Sequence, residues 1–118
     1  LAGDLLQPFD NPAFRNNVAI LICNPPYISS KKVPEMANQI SEHEPAMAFD
    51  GGPFGISILQ KLIKQAPNYL QKGGWLVFEL GLGQGPSVIK RLEKNAYYCN
   101  VESRLDQNGE VRVIMAQV

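Results

Sequence analysis

The stretch Val18-Ala19-Ile20-Leu21-Ile22-Cys23-Asn24-Pro25-Pro26-Tyr27 decides how the rest of the chain is read. From Val18 to Cys23 it is continuously apolar and of strand length. Without alternation, it predicts a strand buried on both faces, as in the middle of a parallel sheet. The run stops where Pro25 and Pro26 withdraw the N–H groups that a continued ladder requires.

Working outward, the residues before it are rich in turn formers: Pro8, Asp10-Asn11-Pro12 and Asn16-Asn17 predict a loop over 1–17. Beyond Tyr27, Lys31-Lys32-Val33-Pro34 and Glu42-His43-Glu44-Pro45 predict a long, partly helical excursion over 28–54, closed by Asp50-Gly51-Gly52-Pro53. From Gly55 onward, Ile56, Leu59, Leu62, Ile63, Ala66 and Leu70 have the spacing of an amphipathic helix. Pro67 should end or kink it, since proline cannot donate to the carbonyl of Ile63. Gly73-Gly74 resets the chain, and Trp75 to Leu80 predicts a second buried strand. After the glycines of 81–85, Pro86 suits a first helical position; Val88, Ile89 and Leu92 give that helix an apolar face, and Asn95 its end. Tyr97 to Ser103 and Glu110 to Met115 predict two more strands, joined by a tight hairpin turn at Asn108-Gly109. The helix-linked strands should be parallel and the final pair antiparallel. The fold class is α/β: an open sheet of parallel strands with a final antiparallel hairpin.

The composition agrees with a globular domain and excludes several classes. Of 118 residues, 45% are hydrophobic and 19% charged. Lys and Arg total 11, as do Asp and Glu, so the formal net charge is zero and there is no basic excess of the kind nucleic-acid-holding domains carry. No apolar run approaches the ~20 residues a membrane helix needs. Two cysteines, Cys23 and Cys99, are too few for a disulfide scaffold or a zinc site, which points to a reducing, cytoplasmic setting. The chain starts at Leu1 without a Met or a signal peptide, and reads as starting inside a longer gene product.

Asn24-Pro25-Pro26-Tyr27 follows a strand directly, and ligands of open α/β sheets bind outside the carboxyl ends of strands. The Asn24 side-chain oxygen can accept an N–H. Pro25, followed by another proline, is confined to extended conformations, which fixes the direction of its carbonyl. Two acceptors held this way can take both hydrogens of a planar –NH2 group and turn its nitrogen toward an electrophile, while Tyr27 offers a flat face. Such a site works by orientation and by stabilising the charge that develops on nitrogen. The structural alternative is a plain strand terminator.

These residues resemble the carboxyl-terminal half of S-adenosylmethionine-dependent amino-methyltransferases, most closely the HemK/PrmC-like glutamine methyltransferases of peptide-chain release factors. The resemblance runs through nearly the whole chain: Gly3-Asp4-Leu5-Leu6, the Asn24-Pro25-Pro26-Tyr27-Ile28 signature, Glu44-Pro45 with Ala48, Gly51-Gly52 and Gly55, then Leu70 to Gly74, Phe78-Glu79-Leu80-Gly81 and Gln84. It implies residues 1–118 of a class I methyltransferase (Rossmann-like) sheet from its fourth strand onward. It also implies S-adenosylmethionine as methyl donor and a release factor as substrate, a role in translation termination. Asp4 would meet the adenine amine, Leu5 would line the adenine pocket, and Asn24 would stand between cofactor and substrate. Pro25, Pro26 and Tyr27 would hold the glutamine amide. The family's glycine-rich cofactor loop, ribose acid and amino-terminal helical domain are absent from these residues, so the 118 residues alone should be inactive and bind cofactor weakly or not at all.

Two other readings stay open. Asn-Pro-Pro-Tyr is shared with adenine amino-methyltransferases of DNA and RNA, and Gly81-Leu82-Gly83-Gln84-Gly85 with Glu102 resembles the cofactor loop and ribose acid of their circularly permuted members. A non-catalytic α/β binding or assembly module is the alternative of another class; a cut sheet edge would then drive self-association. His43 reads as a solvated loop residue, Cys23 and Cys99 as inert thiols, and Glu79 as either a bridge toward the site or a loop cap.

Overall fold

A computed structural model describes residues 2–26 and 56–118. Two short 3-10 turns, Gln7–Phe9 and Pro12–Phe14, lead into β1 (Val18–Cys23). Helix α1 (Ser57–Gln65) and a further 3-10 turn, Ala66–Asn68, precede β2 (Leu70–Glu79). Then come α2 (Gly85–Glu93), β3 (Asn100–Leu105) and β4 (Val111–Gln117). The strands form one sheet of order β1-β2-β4-β3. β1 and β2 are parallel, and β4 runs antiparallel to both β2 and β3. Hence β3 has the direction of β2 and stands one place further out, with β4 inserted between them. The fold class is α/β, parallel strands closed by an antiparallel hairpin, as the sequence predicts.

Both helices cover one face of the sheet, as right-handed crossovers in one direction require. Leu76, Phe78 and Leu80 of β2 and Ile114 and Ala116 of β4 point to that face and are fully or almost fully buried. They meet Leu59, Leu62 and Ile63 of α1 and Val88 and Leu92 of α2 in a single cluster. The alternate positions, Trp75, Val77, Val113 and Met115, are part-buried.

β1 departs from expectation. It pairs with β2 alone among the described residues, so it is an edge strand, with Ile20 58% and Ile22 76% exposed. An unbroken apolar run expresses a preference for burial on both faces; with one paired neighbour, that preference is met on one side. Leu70 likewise belongs to β2 and not to the helix, because α1 stops at Gln65 and Pro67 sits in the tighter turn that follows. β2 pairs Leu70 with Val18 and then Trp75 with Ile20, so the residues between loop out. Gly74 is required there: a Cβ would lie 3.0 Å from the Val18 carbonyl oxygen and 3.1 Å from that of Ala19.

The β3–β4 connection also differs from a two-residue hairpin. Gly109 has φ +79°, whereas Asn108 is not in the left-handed region that a two-residue Asn-Gly turn demands. Asp106 organises the turn instead. Its Oδ1 accepts from the Asn108 and Glu110 N–H groups at 2.8 and 3.1 Å, and its carbonyl accepts from Gly109 N–H at 3.1 Å.

Candidate functional site at the carboxyl ends of β1 and β2

The register fixes what lies together at this end of the sheet. Ile22 pairs with Val77 and Cys23 with Phe78, so Asn24 and Glu79 leave the parallel pair as neighbours. Asn24 is exposed, Pro25 is buried and Pro26 part-buried, so the ring of Pro25 anchors the peptide while Asn24 stays accessible. Both prolines follow the last paired residue, and the ladder ends where their missing N–H groups require it. Tyr27, Lys31-Lys32, His43, Glu44-Pro45 and Gly51-Gly52 lie outside the described residues.

Leu5 comes close to this strand from the amino-terminal loop. Leu5 has φ 54°, a left-handed conformation uncommon for leucine, in the turn closed by the Gln7 N–H donating to the Asp4 carbonyl at 3.0 Å. Its side chain lines an apolar open groove of about 380 Å³ along β1, with Phe9, Phe14, Leu21, Ile22 and Cys23 among the other walls. The Phe9 and Phe14 rings meet edge to face, centroids 5.6 Å apart, and stiffen that wall. The Asp4 carboxylate is exposed and ion-paired with Lys61 of α1. Burial at the end of β1 pushes the Cys23 thiol up from its ordinary value, which makes it a poorer nucleophile near neutrality. Cys99 is exposed and directs its sulfur to the Gln117 carbonyl.

Glu79 is bridged to β4. Arg112 Nη2 donates to its Oε1 at 3.2 Å, and Arg112 Nε donates to the Leu80 carbonyl at 3.1 Å. Sequence reading misses Arg112 altogether, because nothing in the local pattern says that β4 returns beside β2.

The glycine segment after β2 has a structural explanation. Gly81 N–H is taken by Gln84 Oε1 at 2.9 Å, and Gly83 has φ +78°. A Cβ on Gly85 would fall 2.6 Å from Val111 Cβ, so glycine lets α2 approach β4. Glu102 is hydrogen-bonded to Asn100 and paired with Arg104, on a strand separated from β2 by β4. A dinucleotide-type crevice needs its acid on the adjoining parallel strand, so this geometry opposes a second cofactor loop here. Among the described residues there is no cluster of potential metal ligands and no helix long and apolar enough to cross a membrane.

No protein-family model matches the chain. Curated relatives do. A release factor glutamine methyltransferase of Bacillus cereus is 34% identical over 116 residues, 98% of this chain and 40% of the relative. Proteins of the same name from Geobacter sulfurreducens (32% identical, 98% of this chain, 39% of the relative) and Synechocystis (31%, 87% and 34%) are similar to it as well. The chain thus spans about two fifths of the length of the relatives it matches most fully. With the mixed sheet and the Asn24-Pro25-Pro26 strand end in place, these matches make the chain a homologue of the carboxyl-terminal part of release factor glutamine methyltransferases.

Proposed function

We propose that this chain is the substrate-gripping part of an N-methyltransferase that uses S-adenosylmethionine to methylate a glutamine side-chain amide in peptide chain release factors. The observation that carries the reading is the end of β1: an exposed Asn24 on a buried Pro25, at the carboxyl end of a parallel strand, beside a groove lined by Leu5 and Cys23. The relatives' names supply the substrate class. Asn24 and the carbonyl of Pro25 accept the two amide hydrogens, so the nitrogen is oriented toward the methyl group. As that nitrogen becomes positive, both acceptors bind its hydrogens more strongly, which lowers the barrier without a strong base. Pro26 and Tyr27 complete the grip on the planar amide.

The described residues fit the adenine end of the cofactor. Leu5 supplies an apolar wall to a groove of about 380 Å³, and Asp4 an exposed carboxylate able to accept from an exocyclic amine once Lys61 gives way. When bound, S-adenosylmethionine supplies an electrophilic methyl group on sulfonium. The described residues offer little else for it, so the 118 residues alone bind it weakly. Isothermal titration reaching micromolar affinity with this chain would contradict that. The setting is translation termination in the cytoplasm, with a release factor as partner and no nucleic acid.

The test is methyl transfer from labelled S-adenosylmethionine by the full protein carrying this chain, with a release factor set against adenine-containing DNA and RNA. Label on the release factor, lost in Asn24→Ala, is the expected result. Label on adenine instead would replace the substrate, and full activity of Asn24→Ala would remove the motif from the mechanism.

A further inference from the structure

Asn24 and Glu79 leave the parallel pair β1–β2 together, one residue past the Cys23–Phe78 pairing. Adjacent strands lie ~4.8 Å apart. Ile22 and Val77 share one face of the sheet, and side chains alternate with period two, so Asn24 and Glu79 fall on that same face. The carboxylate of Glu79 is held in place there. Arg112 is fixed to the Leu80 carbonyl through Nε and gives Nη2 to Glu79 Oε1. Glu79 Oε2 has no partner among the described residues, and the side chain is 39% exposed.

Resting on the methyltransferase reading above, we propose that Glu79 is a further charged residue of the reaction, its free carboxylate oxygen turned to the amide nitrogen held by Asn24. In the transfer, the nitrogen's electron pair forms the new N–CH3 bond. The S–CH3 bond of the sulfonium breaks, its pair staying on sulfur as a thioether, and the nitrogen gives up one of its two hydrogens as a proton, the one shared with Asn24 passing to Glu79 and thence to solvent. A carboxylate is suited to this because the positive charge is absent in the bound amide and develops during transfer, so the interaction strengthens toward the transition state. Arg112 acts through Glu79 as a positioning residue. Partial exposure screens the interaction, so its effect belongs below the hundredfold-or-more of a fully enclosed group, at about tenfold.

The experiment uses the full protein carrying this chain, labelled S-adenosylmethionine and a release factor, with Glu79→Gln, Glu79→Asp, Arg112→Gln and Asn24→Ala compared. Glutamine at position 79 retains an oxygen for Arg112 and removes the charge. About tenfold lower kcat is expected for Glu79→Gln at unchanged KM for S-adenosylmethionine, with recovery in Glu79→Asp and a smaller loss in Arg112→Gln. Wild-type kcat in Glu79→Gln beside an inactive Asn24→Ala overturns this inference and leaves the methyltransferase reading standing. Equal losses in Glu79→Gln and Arg112→Gln assign the pair to holding β2 against β4, and also overturn it. Full turnover in Asn24→Ala overturns the reading itself.

Discussion

Pro67 leaves a debt that another part of the chain meets. In a continuing helix its N–H would donate to the carbonyl of Ile63; proline has none. That carbonyl lies in the core, where an unpaired acceptor is costly. The Tyr98 hydroxyl, from the segment before β3, donates to it at 2.7 Å in buried surroundings. Tyr98→Phe removes the donor and nearly nothing else. The lost bond and the stranded carbonyl together cost ~2 kcal/mol. At a urea slope of ~2 kcal/mol per molar, the unfolding midpoint followed by circular dichroism should fall by about 1 M with the slope unchanged. The second arm makes the cause specific. Pro67→Ala restores an N–H within reach of Ile63, so in that background Tyr98→Phe should cost about half as much. Equal costs in the two backgrounds would mean that the value of the Tyr98 bond does not depend on the N–H missing at Pro67, and would refute the reasoning.

The same contact sets an alkaline limit. Burial raises the Tyr98 pKa well above its ordinary value, so the neutral phenol favours the folded state. This contribution is complete below the unfolded value of ~10 and is lost as pH rises through the folded one, so the stability gap between wild type and Tyr98→Phe should narrow between pH 8 and pH 11 in urea titrations. Gly85→Ala should lower stability by about 1–3 kcal/mol in the same titration, because its Cβ would press on Val111; a wild-type midpoint would show that α2 can move away. Through the open edge of β1, the molar mass of the 118-residue chain by light scattering should rise above 13.0 kDa with concentration, and Ile22→Lys should restore the monomer; a wild-type monomer at every concentration would count against an accessible edge.

What the sequence makes legible is local chemistry. Val18 to Cys23 reads as a strand because its run is apolar and short, and Pro86 as a helix start because its missing N–H is harmless there. Pro67 is read as a helix stop for the reason that later explains Tyr98. What is not legible depends on neighbours that local pattern does not name. β1 has the composition of a central strand and lies at an edge among the described residues, because burial is decided by what pairs with a strand as well as by its residues. Asn108-Gly109 signals a two-residue turn, yet Asp106 offers a competing acceptor and wins the two N–H groups.

The candidate site divides along the same line. Asn24-Pro25-Pro26 can be read from the chain because its chemistry is contiguous: a terminator, two rigid rings and an acceptor at one strand end. Glu79 could not be decided, since its meaning depends on the register of β1 against β2 and on the return of β4 with Arg112. The glycines at 81, 83 and 85 erred in the opposite direction. Their spacing resembles a phosphate cradle, but each has a use inside the fold: a donor for Gln84, a positive φ, and close passage of α2 over Val111. A glycine motif therefore counts toward ligand binding only after packing has been asked what it needs. By that standard the proposed chemistry of this chain rests on Asn24 and its neighbour Glu79, where Asn24 is exposed and one oxygen of Glu79 has no partner among the described residues.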